Sequence, residues 1–104
     1  DTAYARGVEL LQKRKYAKAL YILNDYNARN TVVAHLSMDH NERALDLLAA
    51  MPNAVVTEYL RAIACSRLGR KAEGREHFLE ACRLDGRMEY RGNLDPEIAE
   101  LLKQ

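Results

Sequence analysis

The stretch Leu68–Gly86, LGRKAEGREHFLEACRLDG, can be read with only one period, that of an α-helix. After Leu68-Gly69, the residues Ala72, Phe78, Leu79, Ala81 and Cys82 recur at helical spacing, with Arg75, Glu76, Glu80 and Arg83 between them. Gly74 lies four residues before Phe78 and seven before Ala81, so the three share one face. A small residue there lets a neighbouring helix come close. Leu68-Gly69 reads as the end of one helix and the turn into the next. Leu84-Asp85-Gly86 reads as the stop, with Gly86 available as a left-handed cap.

The same period runs through the rest of the chain. Thr2 to Lys13 is a predicted helix with Tyr4, Val8 and Leu11 in one stripe and Gly7 inside it. Tyr16 to about Asp25 is a second, burying Ala19, Leu20, Ile22 and Leu23. An Asn-rich turn follows, and Thr31–Met38 is a short third helix, with Asn30 or Thr31 as its cap. Glu42–Met51 is a fourth, capped by Asp39 or Asn41 and ended by Pro52. Ala54–Leu68 is apolar on two sides, as a helix with two neighbours must be. Arg87–Asn93 reads as polar and irregular, and Asp95-Pro96-Glu97 as a helix start for Asp95–Lys103.

Composition narrows the chemistry. A chain of 104 residues with 48% hydrophobic and 30% charged side chains is one ordered domain. Sixteen basic and fifteen acidic residues give a net charge of +1, with no gross field to draw in nucleic acid or an acidic membrane. No apolar run approaches the ~18 residues of a membrane span. The chain opens at Asp1 rather than Met, which points to an excised domain or a processed chain. His35, His40 and His77 have no His or Cys partner at i+3 or i+4, so no helical metal site is predicted. No Ser or Cys carries a motif that supplies a base, and no glycine-rich phosphate loop is present. Catalytic residues, cofactors and metals are therefore all expected to be none. Cys65 and Cys82 would sit too far apart along paired helices for a disulfide and read as small buried hydrophobes. Arginines crowd the second half from Arg61 to Arg91, but residues 53–104 hold nine basic and nine acidic groups and lack aromatics interleaved with the bases, which weakens a nucleic-acid reading.

Gly69, Gly74, Phe78, Ala81, Leu84 and Asp85 match the second half of a tetratricopeptide (TPR) repeat, with Gly86 where the family has Pro. Gly7, Tyr16 and Ala19 fall at the family's helix-A Gly, turn aromatic and helix-B Ala, although Arg6 replaces the large residue expected before the Gly. Ala44 and Leu48 give a weaker middle match. The chain thus resembles a degenerate TPR protein, with repeats at about 2–27, 28–53 and 54–86 and a capping helix over 95–103. The resemblance implies an all-α, right-handed stack of three antiparallel helix pairs closed by a C-terminal helix. It also implies that Gly74→Ala is neutral or stabilising, Ala being the usual family residue.

In the family the first helix of each pair lines a groove that holds a peptide. Carried over by position, that groove is Tyr4, Val8 and Leu11 from the first pair, Arg29, Val33 and Leu36 from the second, and Tyr59, Ile63 and Arg67 from the third. The alternative places the same residues in the core between helices. The expected function is a non-catalytic protein–protein interaction scaffold for a peptide or partner domain. The alternatives are a structural spacer in a larger protein and an RNA-binding helical repeat. The close NLDPEIAELLK resembles the ends of short TPR segments in bacterial envelope proteins, which implies a periplasmic or outer-membrane-attached setting.

Overall fold

The structure, a computed structural model, describes residues 1–103. Among them are eight α-helices and no strand: α1 Thr2–Gln12, α2 Tyr16–Leu23, α3 Arg29–Ser37, α4 Asn41–Ala49, α5 Val55–Arg67, α6 Lys71–Leu84, α7 Arg87–Asn93 and α8 Pro96–Leu102. They fall into two compact units, Asp1–Leu47 and a second beginning at Leu48.

Three of the corners between helices are the same piece of backbone. Lys13, Met38 and Leu68 each close a helix at φ −82°, −96° and −86°. The next residue is left-handed in every case: Arg14 at φ 61°, Asp39 at 62° and Gly69 at 77°. Its N–H reaches back three residues, Arg14 to Leu11 (2.9 Å), Asp39 to Leu36 (3.1 Å) and Gly69 to Ser66 (3.2 Å). The following N–H reaches back five, Lys15 to Leu10 (2.9 Å), His40 to His35 (2.8 Å) and Arg70 to Cys65 (2.9 Å). This paired closure is the Schellman motif, which satisfies the orphan carbonyls of a helix end. The corners stand 25 and 30 residues apart, and each is followed five residues after its left-handed member by a buried small residue: Ala19, Ala44 and Gly74. A side chain at a left-handed position carries a steric cost that glycine avoids. Arg14→Gly is therefore expected to stabilise the chain by about 0.5–1 kcal/mol in a urea melt; a loss would mean that the Arg14 side chain holds the corner.

In the first unit α1 packs on α2 and α2 on α3. Leu10, Ala19, Leu23 and Ala34 form its core, with Tyr4, Val8, Leu11, Leu20 and Ile22 against them. Gly7 has its packing reason: a Cβ there would lie 2.7 Å from Leu23 Cδ2. The predicted caps of α3 are not used. Its N-cap is Ala28, with no side-chain bond. The Thr31 hydroxyl instead donates to the carbonyl oxygens of Tyr26 (2.7 Å) and Leu23 (2.9 Å), tying α3 to the end of α2.

In the second unit α5 pairs with α6 across the Gly69 corner, and α8 lies against both. Tyr59, Ala62, Ile63, Phe78, Ala81, Ile98 and Leu101 make the core. The α8 start follows the sequence: Asp95 is the N-cap, its Oδ1 accepting from the Glu97 N–H at 3.0 Å, with Pro96 behind it.

Two expectations are corrected here. Gly86 is not a left-handed cap; its φ is −58° and it leads into α7, while α6 ends in extended Asp85. The segment 87–93 is helical rather than irregular. Its entry is held by Asp85, whose Oδ1 accepts from the Arg87 N–H at 3.0 Å. Met88 packs on the core, and Gly92 is buried where a Cβ would overlap the Phe78 ring. So few apolar residues suffice because a glycine, not a side chain, makes the contact.

The same close approach changes the outlook for Gly74. A Cβ there would meet Leu101 Cδ2 at 2.7 Å and Cys65 Cβ at 3.2 Å, and Leu101 is fully buried. The helix-propensity gain of about 1 kcal/mol is then opposed by overpacking of about 1–3 kcal/mol. Gly74→Ala is now expected to cost about 1 kcal/mol and Gly92→Ala about 2–3 kcal/mol, since an aromatic ring yields less than a leucine methyl. Urea midpoints check the order; equal tolerance at both sites would mean that α7 lifts off Phe78 freely.

Candidate functional site

The residues assigned to a groove divide between the units. In the first, Tyr4, Val8 and Leu11 are half-buried against the core. The Tyr4 hydroxyl accepts from Asn30 Nδ2 at 2.9 Å, and its ring is tilted 5.1 Å from that of Tyr26. Arg29 is exposed, Val33 half-buried and Leu36 buried.

In the second unit Tyr59 and Ile63 are 5% and 7% exposed, inside the core. Their face of α5 is covered by α8. The Tyr59 hydroxyl donates to Asp95 Oδ2 at 2.8 Å, the Ser66 hydroxyl to the Glu97 carbonyl at 2.9 Å, and Arg67 Nε to Glu97 Oε1 at 2.6 Å. Arg91 stands over the Tyr59 ring, 5.0 Å from its centroid. The helix expected to cap the stack thus occupies the wall expected to be open, and for Tyr59 and Ile63 the core alternative holds.

The densest polar cluster lies around Arg61, one of the arginines that the acids of the second half balance in number. Arg61, 6% exposed, donates through Nε and Nη2 to the Leu48 carbonyl (3.2 and 2.6 Å). It also reaches the Met51 carbonyl at 2.7 Å and Asn53 Oδ1 at 2.6 Å. Its remaining partner is Glu58, 3% exposed, whose other oxygen takes His77 Nδ1 at 2.8 Å. The guanidinium spends its forked donors on the carbonyls where α4 ends, which are acceptors that no helix can satisfy. Glu58 and Arg61 are three apart on a helix apolar on two sides, and that spacing is the available signal. Chemically the cluster orients His77 against a buried carboxylate. With four of its bonds on Leu48, Met51 and Asn53, the arrangement reads as a clasp for the loop 50–54.

A second pairing also escaped the search for i+3 and i+4 spacing. His35 and His40, five apart across the Asp39 corner, meet Nδ1 to Nδ1 at 3.1 Å. The left-handed residue shortens the path that a helix would have lengthened.

A shallow cavity of about 520 Å³ is lined by Lys71, Arg75, Leu102 and Lys103. Its bases are already engaged: Lys71 and Lys103 pair with Glu100 at 3.5 and 3.0 Å, and Arg75 donates to the Leu101 carbonyl at 3.1 Å. Among the described residues no group of three His, Cys, Asp or Glu side chains could hold a metal ion, and no helix is long and apolar enough to cross a membrane. Both cysteines are free; burial pushes the Cys65 and Cys82 thiols up, away from the reactive thiolate. No family model, curated protein or solved structure matches the chain.

Proposed function

We propose that the chain is a non-catalytic, TPR-like helical-repeat module that binds another protein or another part of its own polypeptide. The observation that carries this reading is the threefold use of one Schellman corner, each followed at the same distance by a small buried residue. Repetition of a helix–corner–helix unit is how such modules are built. The closed α5 wall moves the expected contact away from Tyr59 and Ile63. Apolar side chains that do face solvent include Leu79 on α6, Tyr90 on α7 and Leu94 just past the end of α7, at 61%, 72% and 69% exposure. Tyrosine beside leucine is a composition suited to a protein partner.

The same closure of α5 by α8 favours a second reading, a structural spacer with no peptide groove. Affinity capture with the intact chain and with a Tyr90→Ala/Leu94→Ser variant separates the two. A binding module should recover a discrete protein that the variant loses by tenfold or more, with the melt shifted by no more than about 0.5 kcal/mol, as for exposed positions. A spacer should recover the same background with both. Tight single-stranded RNA binding with a steep salt dependence would reverse both in favour of an RNA-binding repeat.

A further inference from the structure

We propose that the α3–α4 corner is an acid-sensitive latch, closed by a single proton shared between the Nδ1 atoms of His35 and His40. The geometry decides what kind of contact this is. The two nitrogens are 3.1 Å apart and the ring centroids 5.4 Å, so the difference is taken up by the two ring radii and both nitrogens lie on the line joining the rings. Lone pairs aimed at each other make one N–H···N bond. Two imidazoles on one metal ion would instead aim at a point off that line.

The proton positions follow from the neighbours. His35 Nε2 is 3.2 Å from Asn24 Oδ1, which only accepts, so Nε2 carries the proton and His35 Nδ1 is a bare acceptor. His40 Nδ1 is then the donor. A proton added to His35 Nδ1 sets N–H against N–H and puts charge on a ring only 5% exposed.

The surroundings resist that proton. Burial first, then His40 and Arg43, holds the His35 imidazole below its ordinary value of 6.5. From the other packed elements, α2 offers the neutral amide of Asn24, and α1 offers Tyr4, whose hydroxyl is taken by Asn30. Asp39, in the corner itself, accepts from the Asn41 amide. A lowered folded value means that the unfolded chain takes the proton first. The latch contributes fully above about pH 6.5, weakens as pH falls below it, and is lost through the lower folded value. The two sister corners carry Leu10 with Lys15 and Cys65 with Arg70 at the equivalent positions, so neither has a histidine pair.

Those sister corners are internal controls. Histidine-ring NMR across pH 7.5–4.5 should show His35 protonated at Nε2 at neutral pH, with a titration midpoint below the ordinary value. Over the same range the exchange protection of the amide at position 40 should fall at least tenfold relative to the amides of Lys15 and Arg70. In a His40→Ala variant that relative loss should disappear. The latch is overturned by a His35 midpoint at or above the ordinary value, by three amides losing protection together, or by a relative loss that survives His40→Ala.

Discussion

Arg61→Met should cost about 3–5 kcal/mol of folding stability, the range found when one partner of a buried, hydrogen-bonded charge pair is removed. Methionine fills much of the volume but donates nothing. The Met51 carbonyl loses the guanidinium, the Leu48 carbonyl keeps only the Met51 N–H, and the Glu58 carboxylate stays buried with His77 alone. Removing Glu58 as well, in Arg61→Met/Glu58→Gln, should cost less than the sum of the single changes, because no charge is then stranded. Urea melts of the three variants check both statements. Amide exchange over residues 50–54 should rise most, since that loop is what the guanidinium holds. A loss under about 1 kcal/mol for Arg61→Met would place the group in water, where exposed pairs are worth that little.

Arg61 also shows where the sequence stops being informative. Its helix was legible, because Tyr59, Ile63 and Leu60, Ala64 mark two apolar stripes at the right period. That one arginine of a crowd points inward was hinted at only by Glu58 three residues before it, since the Leu48 and Met51 carbonyls that it also reaches have no signature in a sequence. The same applies to α7. Its helix rests on Gly92 beneath Phe78, and a glycine that makes a tertiary contact looks in a sequence like a glycine that breaks a helix.

Helix order, the short corners and the small positions Ala19, Ala44 and Gly74 could all be read, because each is a local pattern of side-chain size. Gly74 showed that something comes close, yet not what. The neighbour is Leu101 of the last helix, 27 residues on, and this turns an expected gain from Ala into an expected loss. The His35–His40 pairing depended on Asp39 taking a left-handed conformation, which only the folded corner reveals. The groove assignment carried positions over from a family in which the first helix of each pair lines an open groove. Nothing in α5 alone said that α8 would fold back across it.

Tyr59 is where that difference can be measured. Tyr59→Ala should cost about 3–5 kcal/mol, as truncation of a buried aromatic does. The ring meets Phe78 edge-on at 6.3 Å, lies under Arg91, and sits in a core sealed by Ile98 and Leu101. Tyr59→Phe keeps all of that and gives up only the hydroxyl bond to Asp95, so it should cost about 1 kcal/mol. Asp95 still caps α8 through its other oxygen. Burial first, then the bond to Asp95 and its charge, pushes the Tyr59 phenol up to about 12 from 10.0, against a smaller opposing pull from Arg91. A raised folded value makes this contribution complete below pH 10, and it is lost as the pH climbs from 10 through about 12. Comparing tyrosinate absorbance of the native chain and the Tyr59→Phe variant isolates this one phenol among six tyrosines. It should ionise last and together with unfolding. If Tyr59→Ala instead melts like the native chain and the phenol titrates near 10, the ring stands in water, α8 does not hold its place on α5, and the open groove wall becomes the better description of this helix.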